Sequence, residues 1–201
     1  MVYTSDHVTT MHPLFGIPVG LALSAAAGLR VFVPLLLTGV AARLGSLTLT
    51  PEMAWIGSDV ALVAFATAAV LEVGGYYVPW LDNLLDTIAT PGAITAGIMI
   101  TAAATPDLSP FQRWALAIVA GGGAAGLVQA GTALLRLKSS TFTAGAGNPL
   151  IATGELAGSI ALSLVGLLAP LLAAVVVAVL LVVLASRVGR LLRARRRARS
   201  A

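Results

Sequence analysis

Long apolar runs, separated by short polar stretches, dominate the sequence. They lie at residues 17–44, 54–77, 91–105, 111–137, 151–169 and 171–186. Their lengths of 15 to 28 residues lie around the roughly 17 to 25 that a helix needs to cross a bilayer. The alternation over about ten residues that is typical of a β-barrel is absent. The pattern predicts an all-α polytopic membrane protein with about six hydrophobic helical segments.

Two of these runs have an irregular length. The first would form a helix of about 42 Å, longer than the roughly 30 Å hydrocarbon core, and it contains Gly28, Arg30 and Pro34 near its middle. Pro34 lacks the N–H that would bond the carbonyl of Arg30. We therefore expect a kinked or broken span there, or a re-entrant hairpin. The run at 91–105 is short for a full crossing, and residues 79–90 are predicted to connect it to the second run.

The runs suggest one membrane domain at residues 13–186, after a polar segment at 1–12 and before a basic tail at 187–201. Ala26-Ala27-Gly28-Leu29 recurs as the same four residues at 124–127. Each copy lies inside a long segment that is followed by a loop, a span and a shorter run. The matching order predicts halves at 13–105 and 110–186, related as an inverted repeat of three segments each.

Composition supports the membrane class. Of the 201 residues 58% are hydrophobic and 10% are charged, whereas a soluble domain carries about a quarter charged residues. Seven of the twelve basic residues lie between Arg187 and Arg199, so the net charge of +4 indicates no nucleic-acid partner. Such a tail is typical of the cytoplasmic side. We predict a multi-pass inner (plasma) membrane protein with a cytoplasmic C-terminus and membrane lipids as partners.

The acidic residues concentrate at the breaks between runs. Glu72 lies inside the second run, where a carboxylate is costly unless it faces a cavity or a partner. Asp82 and Asp86 are one helical turn apart. They form either a solvated face of an interfacial helix or, with Glu72, an acidic vestibule that attracts cations or relays protons. These three residues are also the candidate metal ligands.

Further candidates lie near the other segment ends. Arg30 either pairs with Glu72 or Glu155 or provides a positive site for an anion beside a broken helix. Lys138 is the only lysine and could supply a titratable amine, whereas we assign Arg136 to the ordinary excess of positive charge inside. Asn148, with Pro149, is expected to cap the fifth span. Glu155, in the early turns of that span, could satisfy the helix start or face the acidic residues.

Together these residues resemble a family of small bacterial integral membrane proteins, the domain of unknown function 4126. The resemblance covers residues 25–170 and is carried by Glu72, the Pro79-x-x-Asp82-x-x-x-Asp86 motif, Lys138, Asn148-Pro149 and Glu155. Members of the family often carry paired acidic residues late in the chain, whereas Glu155 is followed by Leu156 here. The resemblance implies a membrane location and no established activity.

The leading hypothesis for function is a small transporter or channel for an ion or small polar solute. One alternative is a non-transporting scaffold or partner subunit, in which the charges bind the spans together. Another is a Mg²⁺-dependent lipid-modifying enzyme, but the second acidic motif that such enzymes use is not present in this form. No cysteine occurs and both histidines precede the first run, so we predict no catalytic residue and no cofactor. Gly-rich faces make a homo-oligomer a further partner to consider.

Overall fold

The computed structural model describes residues 15–77, 79–143 and 146–199, and this part of the chain forms helices and turns without a strand. The α-helices are α1 (Gly16–Ala27), α2 (Phe32–Arg43), α3 (Asp59–Gly75), α4 (Pro79–Ala103), α5 (Pro110–Leu116), α6 (Gly123–Thr143), α7 (Asn148–Leu168) and α8 (Pro170–Arg199). A 3₁₀ helix, Pro51–Gly57, precedes α3, and a π-helical segment, Ala117–Gly122, joins α5 to α6. The predicted all-helical class is confirmed.

Three helices in the described part of the chain are long and apolar enough to cross a membrane: Pro110–Thr143, Asn148–Leu168 and Pro170–Arg187. The 3₁₀ helix and α3 would add a fourth span, bent by 60°. Large apolar side chains are exposed along these helices, as on α8, where Val175, Val179 and Val182 are all more than half exposed. Such faces are typical of a helical membrane protein. The count of six spans and the inverted repeat stay predictions.

The first apolar run forms a helical hairpin. A Cβ on Gly16, where α1 begins, would collide with the carbonyl of Ala104 just after α4. The end of α2 lies close to the same place, because Leu47 N donates to Ala41 O and Thr50 N donates to Ala103 O, at 3.2 and 2.9 Å. Both open ends of the hairpin therefore lie beside the end of α4. The first run is therefore not one continuous kinked helix, and a re-entrant path through the membrane stays a prediction.

The tip of this hairpin lies only part of the way along the bundle. Val31, between α1 and α2, packs beside Gly92, in the middle of the 25 residues of α4. Close approach depends on small residues: Gly97 of α4 faces Gly121 and Ala125, where a Cβ on Gly97 would lie 2.7 Å from the Ala125 side chain. Eight of the 12 residues of α1 are buried, and Val19, Leu23 and Ala27 have no exposed surface.

One predicted boundary is wrong. Residues 79–90 were expected to connect two runs, but α4 begins at Pro79 and continues through Pro91 to Ala103. Pro79 suits a first helical turn, because its missing N–H has no intrahelical acceptor there. Pro91 removes one hydrogen bond from the interior of the helix without ending it. The third run is therefore the second half of a longer helix, and Asp82 and Asp86 lie in its first half.

Candidate functional site

The break between α1 and α2 leaves polar backbone groups inside the bundle. The first N–H groups of any helix lack an intrahelical acceptor, and no side chain in the N-cap position of α2 supplies one. Glu72, near the end of α3, fills this role from outside the helix. Its Oε1 accepts from Val31 N at 2.8 Å, and its Oε2 accepts from Phe32 N at 3.1 Å. A carboxylate at this end also complements the helix dipole.

Arg30 lies in the same break and is 1% exposed. Its Nη2 donates to the carbonyl of Ala152 at 2.7 Å and lies 3.4 Å from Glu155 Oε2. Its Nε and Nη1 are buried and have no hydrogen-bond partner. Of the two partners predicted for Arg30, Glu155 makes the ion pair, whereas both oxygens of Glu72 accept from the backbone of α2. Arg30 therefore keeps unused donor capacity inside the protein.

A second guanidinium completes the arrangement. Arg136 Nε donates to Glu155 Oε1 at 3.1 Å, and Arg136 Nη2 pairs with Glu155 Oε2, so the pair is bidentate. The ring of Tyr76 contacts both guanidinium groups, with its centroid 4.0 Å from Arg30 Cζ and 3.9 Å from Arg136 Cζ. We call Arg30, Glu72, Tyr76, Arg136 and Glu155 the tip cluster. It joins the α1–α2 break to α3, α6 and α7.

The structure brings together three of the residues predicted for the site. Arg30, Glu72 and Glu155 belong to the tip cluster. Lys138 is exposed on α6, and Asn148, half-buried at the first residue of α7, donates from Nδ2 to Ser140 Oγ at 3.2 Å. The predicted cap is therefore displaced by one position, because Gly147 occupies the N-cap of α7. The side chains of Asp82 and Asp86 lie outside the described part of the structure.

Sequence reasoning missed two members of the tip cluster. It assigned Arg136 to the excess of positive charge inside and did not propose Tyr76, but Tyr76 is 5% exposed and Arg136 is 4% exposed. A signal for Arg136 is present in α6, where Gln129, Thr132 and Arg136 are spaced by three and four residues and are all buried. That spacing places them on one face of a helix, whereas Lys138 falls outside the stripe.

The chemistry available at the tip cluster is hydrogen-bond donation and charge pairing. Both carboxylates are occupied, one by backbone N–H groups and the other by two guanidiniums. Among the residues whose placement is described, no three His, Cys, Asp or Glu side chains come together as they would around a metal ion. The metal set of Glu72, Asp82 and Asp86 remains a prediction, since two of its side chains are not described.

Comparison with known families identifies the chain. The family described as Domain of unknown function (DUF4126) matches residues 17–190, and the chain belongs to it. This match confirms the resemblance carried by Glu72, Pro79, Lys138 and Glu155. No curated protein and no solved structure matches the chain.

Proposed function

We propose that this member of the family is a small membrane transporter or channel, and that an ion or small polar solute passes the tip cluster. The observation that carries the proposal is Arg30, which is 1% exposed and keeps Nε and Nη1 without an acceptor. Leaving a buried donor unpaired costs about 1–3 kcal/mol, and more for a charged group. A solute with acceptor atoms would remove that cost while it occupies the site.

The break in the hairpin supports the same proposal. Irregular backbone inside a membrane protein is tolerated where it is enclosed by protein or lines a water-filled cavity, and broken helices commonly form the substrate sites of transporters. Here the break at residues 28–31 lies beside the middle of α4. The polar end of the hairpin is therefore well situated to meet a solute part of the way across the bilayer.

The free hydrogen-bonding capacity favours one class of solute. A vestibule lined by free carboxylates would select cations, but Glu72 and Glu155 already accept hydrogen bonds through both oxygens. The unused groups are the N–H donors of Arg30. We therefore favour small anions, or neutral solutes rich in acceptor oxygens. In this proposal Asp82 and Asp86, in the first half of α4, belong to the entrance of the solute path. Lys138 and Asn148 lie outside that path.

The finer topology belongs to the same proposal. The inverted repeat is supported by the contact between its two copies, because a Cβ on Gly28 would collide with the carbonyl of Ala125. Six membrane segments, with the arginine-rich end of α8 in the cytoplasm, follow the distribution of positive charge. With α1 and α2 as a re-entrant hairpin, the chain before α1 and the loop after α2 share one side. Pairing through glycine-rich faces remains a proposal for a homo-oligomer.

Solute flux into proteoliposomes tests the proposal. Arg30→Lys keeps the positive charge and replaces the planar guanidinium fork with a compact ammonium. Arg43→Lys is the matched control, since Arg43 pairs with Asp59 at the open end of the hairpin and its side chain is 49% exposed. We expect uptake of halide, nitrate or formate to fall at least about tenfold in Arg30→Lys, with Arg43→Lys unchanged. Glu72→Gln, which removes the carboxylate that binds the start of α2, should also reduce flux.

Equal uptake by protein-containing and empty liposomes, across halides, carboxylates, sugars and alkali cations, would remove the transport proposal. Retention of the folded elution profile is required of each variant, so that lost flux is separated from lost protein. If the Arg30→Lys protein folds and transports at the wild-type rate, the solute does not pass the tip cluster.

A non-transporting scaffold is the second candidate, and one observation favours it. Glu155 binds the guanidiniums of Arg30 and Arg136 together, so these charges also hold three elements in place. If this is their whole role, exchanging the charges in Arg136→Glu with Glu155→Arg should recover the thermal stability that either change alone removes. The same hypothesis expects the wild-type protein to give no flux of any tested solute.

A further inference from the structure

A second polar site lies at the open end of the hairpin, away from the tip cluster. A partly open cavity of about 120 Å³ lies between the 3₁₀ helix, the end of α4 and the start of α5, and its lining includes Thr50, Glu52, Arg113 and Trp114. At about 30 Å³ for each water in the liquid, this is the volume of roughly four waters. The space is sufficient for one tetrahedral phosphate group.

Two buried hydrogen-bonding groups in this cavity have no partner. Arg113 is 9% exposed, and its Nη1 donates to Glu52 Oε2 at 3.0 Å, but its Nε makes no hydrogen bond. Thr50 is 1% exposed, and its Oγ1 makes no hydrogen bond of normal geometry, although the carboxylate of Glu52 is nearby. Arg113 Nε can only donate and the Thr50 hydroxyl can donate, so one acceptor in the cavity would satisfy both groups.

The chemistry of the lining favours an oxyanion, with a cation beside it, as this acceptor. Guanidinium N–H groups and a hydroxyl are common phosphate contacts. The side chain of Glu52 is 65% exposed on the outer edge of the cavity, where it can accept from an amine. A phosphate joined to a primary amine by a short linker carries both of these charges.

The surroundings favour a lipid as the source of this group. Trp114 is 44% exposed and Phe111 is 83% exposed on the same helix start, and Trp55 of the 3₁₀ helix is 47% exposed. Tryptophan is enriched at the level of lipid headgroups. We propose that Arg113, Thr50 and Glu52 form a binding site for the phosphate of an amine-bearing phospholipid headgroup, with Arg113 and Thr50 on the phosphate and Glu52 on the amine.

Lipid binding to the purified full-length protein in detergent tests this site. The probes are phosphatidylethanolamine, phosphatidylglycerol, phosphatidylcholine and inorganic phosphate, measured by native mass spectrometry and by the rise in Tm with added ligand. Phosphatidylethanolamine should bind most tightly. Thr50→Val removes the hydroxyl while keeping the shape of the side chain, and Arg113→Gln removes the guanidinium. Each should weaken binding at least about tenfold, whereas Arg43→Gln, at the same end of the hairpin, should not.

The outcomes separate the sources and can overturn the proposal. If inorganic phosphate raises Tm as much as the lipid does, and Thr50→Val abolishes that rise, free phosphate is the ligand and the lipid source is wrong. If Arg43→Gln weakens lipid binding as much as Thr50→Val does, headgroups are attracted without a site and the proposal fails. If Arg113→Gln does not fold, Thr50→Val decides, and unchanged lipid binding in that variant also overturns the proposal.

Discussion

The two ends of the α1–α2 hairpin carry the same pairing of arginine with an acidic residue in opposite surroundings. At the tip, Arg136 and Glu155 are each 5% exposed at their side chains, and Arg30 shares the same carboxylate. At the open end, Arg43 and Asp59 pair while 49% and 80% exposed. Removing one partner of a buried pair leaves an uncompensated charge, whereas water replaces a lost surface partner. The difference predicts that substitutions at the tip lower the free energy of unfolding much more than substitutions at the open end do.

The largest expected effect is that of Glu155→Gln. The change leaves two buried guanidiniums, of Arg30 and Arg136, without their shared carboxylate. Breaking a buried ion pair from one side costs about 3–5 kcal/mol, so the free energy of unfolding should fall by that amount or the protein should fail to accumulate. Thermal unfolding in detergent measures the loss. A variant within about 1 kcal/mol of the wild type would show that the tip is no more sensitive than the surface.

Gly28→Ala should have the next largest effect. A Cβ at this position would collide with the carbonyl of Ala125 and lie 2.7 Å from the Val128 side chain, and overpacking of this kind costs about 1–3 kcal/mol. Gly57→Ala is the matched change at the open end, since its nearest neighbour would be the Ala42 Cβ at an ordinary 3.6 Å. Differential scanning fluorimetry should show a lower Tm for Gly28→Ala only. Equal Tm values would mean that the tip is loosely packed.

Tyr76 separates ring contact from ion pairing within the tip cluster. Tyr76→Leu removes the aromatic face beneath two guanidiniums, and a desolvated cation–π contact contributes about 2 kcal/mol. Tyr76→Phe keeps that face, so Tyr76→Leu should lose more stability in the same unfolding measurement. If both variants lose the same amount, the hydroxyl rather than the ring is the stabilising group.

Asp59→Asn should have the smallest effect. The Asp59–Arg43 pair is largely exposed, and such pairs contribute about 0.2–1 kcal/mol and are screened by salt. We expect a small fall in Tm at low ionic strength that disappears at about 1 M salt, whereas the loss in Glu155→Gln should persist in salt. If the fall in Tm of Asp59→Asn did not depend on salt, the Asp59–Arg43 pair would behave like the buried Arg136–Glu155 pair.

The sequence indicated where the first run breaks and that Glu72 needs a partner, but it did not indicate which groups make the contacts. Gly28, Arg30 and Pro34 marked the break, and the cost of burying Glu72 marked it as a residue that needs a partner. The partner of Glu72 was not predictable, because it is the backbone of residues 31 and 32, and backbone donors have no signature in the side-chain pattern. Whether the first run continues or turns back depends on the packing of α1 and α2 against α4.

The charged site shows the same limit. Arg136 and Lys138 are both basic residues near the end of one apolar run. They differ only in which side of α6 they occupy, the side toward the bundle or the side away from it. Two positions along a helix differ by about 200° in direction, so one side chain enters the tip cluster and the other is exposed. The polar stripe from Gln129 through Thr132 to Arg136 contained that information. The acceptor carbonyl of Ala152 and the stacking of Tyr76 did not follow from any local pattern.

The balance of charge in the tip cluster has an electrical consequence. With both carboxylates ionised, Arg30 and Arg136 offset Glu72 and Glu155, so the four side chains sum to zero. One elementary charge moved through 100 mV of membrane potential changes the free energy by about 2.3 kcal/mol. A displacement of the whole cluster therefore does no work against the membrane potential. Movement of the whole cluster should therefore give no gating current, whereas movement of the hairpin alone would carry the charge of Arg30 and would give one.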